Sequence, residues 1–219
     1  MNQTLYQWLD ERLGLSEIYQ VVLDRKVPKV NWWFTMGSAS LFLAVVQAIT
    51  GIMLTVYYVP SPDHAYDSVN YIMNEVQFGW LVRGIHHWGA SLLVITVFLH
   101  MLRVFFYGAY KYPREFTWIT GVVLFLSTLG MGFTGYLLPW NQKAYWATTV
   151  GTEIAGTAPA VGGFFMKVLR GGQNLSGVTL ARFFSLHIWI IPAVVLVTLG
   201  IHLYLVVRLG ISHIPGEEE

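Results

Sequence analysis

The stretch 84–102, "GIHHWGASLLVITVFLHML", carries no Asp, Glu, Lys or Arg, yet it holds His86, His87 and His100. Arg83 and Arg103 bound it. A bilayer core of about 30 Å is crossed by roughly 20 apolar residues in helical form. The stretch therefore reads as a short membrane helix with imidazoles inside it. A second stretch, 183–207, "FFSLHIWIIPAVVLVTLGIHLYLVV", repeats the pattern with His187 and His202. Ionisable side chains inside a membrane are rare and usually face a partner or cofactor.

Spacing carries the next step. His86 and His100 are 14 residues apart. Fourteen helical steps bring a side chain back to within ~40° of its start, ~21 Å further along the axis. His187 and His202 are 15 apart, which places the second ~60° past full turns and ~22 Å along. Each helix thus offers two imidazoles near one face, at opposite membrane surfaces. The two helices run in the same direction, so the imidazoles meet in an upper and a lower pair. Two facing imidazoles are what six-coordinate haem iron needs. Zinc would want a third and a fourth donor nearby, and no carboxylate neighbours either pair. His87 points elsewhere and reads as a polar neighbour. His64 and His213 fall in loops.

Two more uncharged runs complete the set: Val30 to Pro62, and Phe116 to Gln142. The expected fold is an all-α membrane protein, a four-helix transmembrane bundle holding two haems in one domain, 1–219. Its spans are expected at about 32–57, 80–106, 116–138 and 182–208. Composition agrees: 55% of the 219 residues are apolar, 11% are charged, and mean hydropathy is +0.52. Soluble domains carry about 25% charge. A net charge of +1 and no basic stripe give no reason to invoke nucleic acid. The lack of cysteine excludes disulfides, thiolate metal sites and thioether-linked haem.

Residues 2–24 alternate like an interfacial amphipathic helix, with Leu5, Trp8, Leu9, Leu13 and Ile18 apolar. No cleavable export signal is visible, so the first span is expected to serve as one. Pro60 and Pro62 end the first span, Pro139 ends the third, and Pro192 should kink the fourth. Residues 141–181 read as Gly-rich surface structure. Four spans put both termini on one side. That side holds Arg12, Arg25, Lys26, Lys29, Arg103, Lys111, Arg114 and Arg208; the other holds Arg83, Lys143, Lys167, Arg170 and Arg182. The positive-inside rule places both termini in the negative phase.

Gly37 and Gly51 in the first span are 14 apart, as are Gly121 and Gly135 in the third. Glycine lets another group approach the backbone closely. Small residues also serve helix packing in membranes, but the match to the histidine interval favours clearance for a haem edge. Arg83 and Arg103 stand one turn outside His86 and His100. With Arg114 they are candidate partners for anionic haem propionates; interfacial snorkelling is the competing reading for Arg114.

At this point a family becomes visible. The chain resembles cytochrome b of the quinol–cytochrome c and plastocyanin oxidoreductases, in the short four-helix b6 form. The resemblance rests on Gly37, Gln47, Thr50 and Gly51; "NEVQFGWLVRGIHHWGAS" at 74–91; "HMLR" at 100–103; "YPREFTWITGVVL" at 112–124; "TGYLLPWNQ" at 134–142; and "TLARFFSLHIWIIP" at 179–192. It implies two haem b groups. His86 and His187 would hold the one nearer the positive side, His100 and His202 the one nearer the negative side. It implies a subunit that passes electrons across the membrane, from quinol oxidation at the positive face to a quinone at the negative face, coupled to proton translocation. Implied partners are a three-helix protein resembling subunit IV, a Rieske iron–sulfur protein, a c-type cytochrome and a second copy. An energy-transducing membrane is implied, bacterial inner membrane or thylakoid.

Two positions depart from the family pattern. Thr35 stands where the b6 type has a cysteine that tethers a third haem, so any third haem would lack a thioether. The basic pair after the last ligand reads Val207-Arg208, which leaves Arg208 as the candidate quinone contact. A haem-bearing membrane anchor of another quinone-linked oxidoreductase would share histidines in helices but should lack "TGYLLPW" and the paired glycines. A transporter with histidine proton relays would show no haem absorption.

Overall fold

A computed structural model describes residues 4–22 and 31–212. Residues 2, 3, 23 and 24, the basic residues Arg25, Lys26 and Lys29, and His213 lie outside the described residues. Every regular element among the described residues is helical.

The amphipathic N-terminal stretch forms two helices, α1 (Leu5–Leu13) and α2 (Leu15–Val22). Thr4 and Gln7 close a capping box at the start of α1. Gly14, at φ 60°, breaks the helix in two. Only glycine adopts that left-handed turn without a Cβ penalty.

Four helical runs are long and apolar enough to cross a membrane: Trp32–Thr55, Gly79–Phe106, Glu115–Leu137 and Gly177–Leu209. The first begins as a 3-10 turn (Trp32–Thr35) capped by the Asn31 side chain, then continues as α3 (Met36–Thr55). The second and third are α5 (Gly79–Phe106) and α6 (Glu115–Leu137). The fourth is composite: α9 (Gly177–Ser185), a π-helical turn (Leu186–Ile190) and α10 (Ile191–Leu209). Pro192 explains the irregularity. It has no N–H, and its ring conflicts with the carbonyl four residues back. A wider i→i+5 turn ahead of it relieves both problems. His187 lies inside that turn.

The sequence hid three helices and the first turn of a fourth, α9. α4 (Ala65–Asn74) fills the link between the first two spans; α7 (Gln142–Gly156) and α8 (Gly162–Arg170) fill most of the Gly-rich 141–181, and α9 starts the fourth span at Gly177. Together they form a cap over one end of the bundle. The water-type core is here, where the cap meets the ends of the third and fourth spans: Ala65, Ile72, Leu137, Ala144, Leu180 and Phe183 are buried. Arg170 is buried with them and clamps the cap. It donates to Thr152 Oγ1 (2.7 Å) and the Thr149 carbonyl (3.1 Å), while its own carbonyl accepts from Thr179 Oγ1 (2.6 Å). At the end of α3, the Tyr58 hydroxyl donates to the Leu138 carbonyl at 2.6 Å, and burial pushes this phenol well above its ordinary range.

Within the bundle α3 packs on α5, and α6 packs on α10 and α5. Exposed faces such as Phe42, Ile49 and Ile52 of α3 are apolar, as lipid contact requires.

Candidate functional site

The helix pairing sets the site. α3 lies against α5 and α6 against α10, so each histidine faces a neighbouring helix at close range. At each of these places the neighbour is glycine. A Cβ on Gly51 would stand 3.3 Å from His86 Cε1, and one on Gly37 3.1 Å from His100 Cε1. A Cβ on Gly135 would stand 2.7 Å from His187 Cε1, and one on Gly121 3.4 Å from His202 Cε1. The four glycines thus pair one-to-one with four imidazoles. What each glycine clears directly is a histidine ring.

Across the bundle the imidazoles come together in two levels. At the capped end, the His86 and His187 rings face each other with centroids 6.4 Å apart and planes at 80°. At the other end His202 lies within electrostatic reach of His100. All four rings are half-buried.

Hydrogen bonds orient three of the four. His86 Nδ1 lies 2.9 Å from Thr50 Oγ1, His187 Nδ1 3.0 Å from Thr134 Oγ1, and His202 Nδ1 2.9 Å from Thr120 Oγ1. With Nδ1 so engaged, Nε2 is the nitrogen left to bind. Sequence reasoning missed Thr120 and Thr134 as site residues, although each directly precedes one of the spaced glycines.

The arginines separate. Arg103 is 9% exposed, and its Nε and Nη2 have no hydrogen-bond partner. Its guanidinium lies 3.6 Å from the Phe34 ring centroid and 5.6 Å from that of Tyr107. Arg83 reaches Met73 Sδ at 3.6 Å and forms no ion pair among the described residues. Arg114 is occupied: it donates to the carbonyls of Leu209 and Gly210, both at 3.4 Å, and so caps the C-terminus of α10. Arg208 is exposed in the last turn of α10. The Thr35 hydroxyl donates to the Trp32 carbonyl at 2.7 Å. His87 is exposed and edges against Trp88. Gln47 is a further site residue: its Nε2 is buried without a partner, 2.5 Å from where a Gly89 Cβ would be.

These residues can be tested against a haem. With metal–imidazole bonds of about 2 Å, two trans imidazoles on one iron put their ring centroids about 6 Å apart. The His86–His187 separation of 6.4 Å fits. No group of three or more His, Cys, Asp or Glu gathers among the described residues, so the donor set suits two axial ligands better than a tetrahedral ion. The unpartnered Arg103 guanidinium suits a propionate.

Comparison with known proteins now bears on the site. The Cytochrome b/b6/petB family profile matches residues 22–210. The chain belongs to the cytochrome b family. It is 46% identical to the menaquinol:cytochrome c reductase cytochrome b subunit of Geobacillus thermodenitrificans, over 97% of this chain and 99% of that protein. It is 41% identical to cytochrome b6 of Prochlorococcus marinus (strain MIT 9211), over 95% of this chain and 96% of that one. Among solved structures it matches a chain of a hyperthermophilic respiratory Complex III with TM-score 0.87 and 36% identity. That match covers 98% of this chain and 59% of the solved one. Membership in this family implies haem b binding, and the four spans make the chain an integral membrane protein.

Proposed function

We propose that this chain is the cross-membrane electron-transfer subunit of a quinol oxidoreductase of the Rieske/cytochrome b type, in an energy-transducing membrane. It holds two haem b groups in series. His86 and His187 ligate the one at the capped end, and His100 and His202 the one at the opposite end. The carrying observation is the pairing of four imidazoles with four glycines at two depths. The relatives support the reading, because they are named as subunits of complexes that oxidise a quinol or as cytochrome b6.

Bound haem supplies a one-electron Fe(III)/Fe(II) couple at each level. The protein's own work is placement. The glycines let the histidines lie flush against α3 and α6, and the threonines turn three rings so that Nε2 points inward. Arg103 offers a buried cation to a carboxylate at the uncapped end, and Arg83 offers one at the capped end. Arg114 acts through the fold, by holding α10 at its terminus. Arg208 contacts quinone from the exposed last turn.

By the count of basic residues, the capped end faces the positive phase and both termini face the negative phase. With haem bound at His86 and His187, the capped level would accept electrons from quinol oxidised at a site completed by a separate three-helix subunit. The His100 and His202 level would pass them to a quinone, with proton release and uptake on opposite sides. A Rieske protein takes the other electron of each quinol and hands it to a c-type cytochrome. The complex is a dimer. Any third haem near Thr35 is held without a thioether.

Haem analysis of the purified complex tests this reading. A pyridine haemochrome assay should give two non-covalent haem b per chain, and His86→Leu should remove one and leave the other. A band at this chain's size that stains for haem after denaturation would refute the assignment at Thr35. Absence of any b-type absorption would sink the haem reading altogether.

A further inference from the structure

The four histidine–glycine contacts are chemically unequal. Three of the glycines follow a threonine, in Thr50-Gly51, Thr120-Gly121 and Thr134-Gly135; the fourth follows Met36. Each threonine donates its single hydroxyl hydrogen to its own helix. Thr50 donates to the Val46 carbonyl (2.7 Å), Thr134 to that of Gly130 (2.8 Å) and Thr120 to that of Thr117 (2.9 Å). Its oxygen is therefore an acceptor toward the imidazole, and the hydrogen between them belongs to Nδ1. His86, His187 and His202 are thus fixed in one tautomer, with the Nε2 lone pair free.

His100 lacks this support. No hydrogen bond reaches its ring among the described residues. Met36 occupies the threonine position. We propose that Thr50, Thr134 and Thr120 are positioning residues that tune the imidazole ligands, and that Met36 leaves the His100–His202 pair half-braced. The inference rests on the reading of these histidines as haem ligands and deepens it. A hydrogen bond from Nδ1–H makes Nε2 more basic. A more basic ligand stabilises Fe(III) over Fe(II) and lowers the reduction potential. The capped level has two such bonds and the other level has one, so the asymmetry favours electron movement from the capped level outward.

Redox titration of the purified complex, followed through the α-band of each haem, tests the proposal. The variants are Thr50→Val, Thr134→Val, Thr50→Ser and Met36→Thr. Thr50→Val or Thr134→Val should raise the reduced-to-oxidised ratio of the capped-level haem at a fixed ambient potential by about three- to tenfold. Tenfold corresponds to about 59 mV for a one-electron couple. The other haem should not move. Thr50→Ser keeps the hydroxyl and should restore the original potential. Met36→Thr should shift the other haem in the opposite sense. Full haem content with unmoved potentials in Thr50→Val overturns the proposal, as does an unmoved potential in Met36→Thr. Should Thr50→Val fail to assemble, Met36→Thr decides alone. A wild-type complex without haem would defeat the ligand assignment itself, which the spectrum reveals before any titration.

Discussion

A single methyl group is the smallest probe of the histidine–glycine contacts, and the four positions differ in how they would receive it. At Gly135 a Cβ would stand 2.7 Å from His187 Cε1, far inside the favourable carbon–carbon separation of about 3.5–4.0 Å. The ring cannot swing away without breaking its bond to Thr134. At Gly121 the same methyl would stand 3.4 Å from His202, and at Gly132 it would meet nothing within 4 Å. Gly135→Ala should therefore lose most of the capped-level haem, whereas Gly121→Ala and Gly132→Ala should keep two haems per chain. Pyridine haemochrome on the three purified variants measures this, and full haem in Gly135→Ala would show that the ring moves freely. The 14-residue interval revealed that these glycines share a register with the histidines. It did not reveal what they touch, because periodicity assigns faces and not partners. Threonine before glycine was also plain in the sequence. In an apolar helix, though, threonine reads as packing until its acceptor role at a neighbouring ring is seen.

Helix by helix, the unequal histidine intervals find an explanation in the π turn. His86 and His100 are 14 apart on α5, while His187 and His202 are 15 apart across Leu186–Ile190. In a plain α-helix the extra residue would turn the second imidazole ~100° from its 14-residue position, to ~60° past full turns. An i→i+5 turn takes up one additional residue, so 15 residues here do the geometric work of 14. The composite helix then keeps both imidazoles in register with Gly135 and Gly121, themselves 14 apart on α6. Deleting Ile190 should convert the π turn to α-helix and retain two haems per chain. Inserting one alanine after Val94 of α5, where no π turn compensates, should abolish binding at one level. Loss of haem from the deletion, or two haems in the insertion, would contradict this account. Pro192 signalled a disturbance in the fourth span, but a proline alone does not specify the added residue of the π turn Leu186–Ile190. The cap helices were illegible for a related reason. Their buried positions include Thr148, Thr152, Thr179 and Arg170, so the apolar period that marks a helix is broken by hydrogen-bonded polar residues.

At the scale of the whole molecule the chain is built for two solvents. The spans turn their apolar faces outward and were legible from charge-free runs alone, since lipid forbids exposed charge over a whole helix. The cap instead buries a small mixed core, as in a water-soluble protein, and sits directly over the His86–His187 level. That placement suits the proposed surface where other subunits would dock and complete a quinol site. The chain matches nearly the full length of its Geobacillus relative but 59% of the solved Complex III chain. A membrane preparation containing this chain without its partners should therefore bind both haems, show their α-band absorption on dithionite reduction, and fail to reduce cytochrome c from quinol. Co-expression with the remaining subunits should bring turnover. Since ligands, glycines and threonines all lie within this one chain, haem binding should survive isolation even as turnover is lost. Quinol-driven turnover by the isolated chain would contradict the division of labour. Loss of both haems on isolation would instead mean that partner subunits hold the two halves of the bundle, α3–α5 and α6–α10, at the spacing the imidazole pairs require.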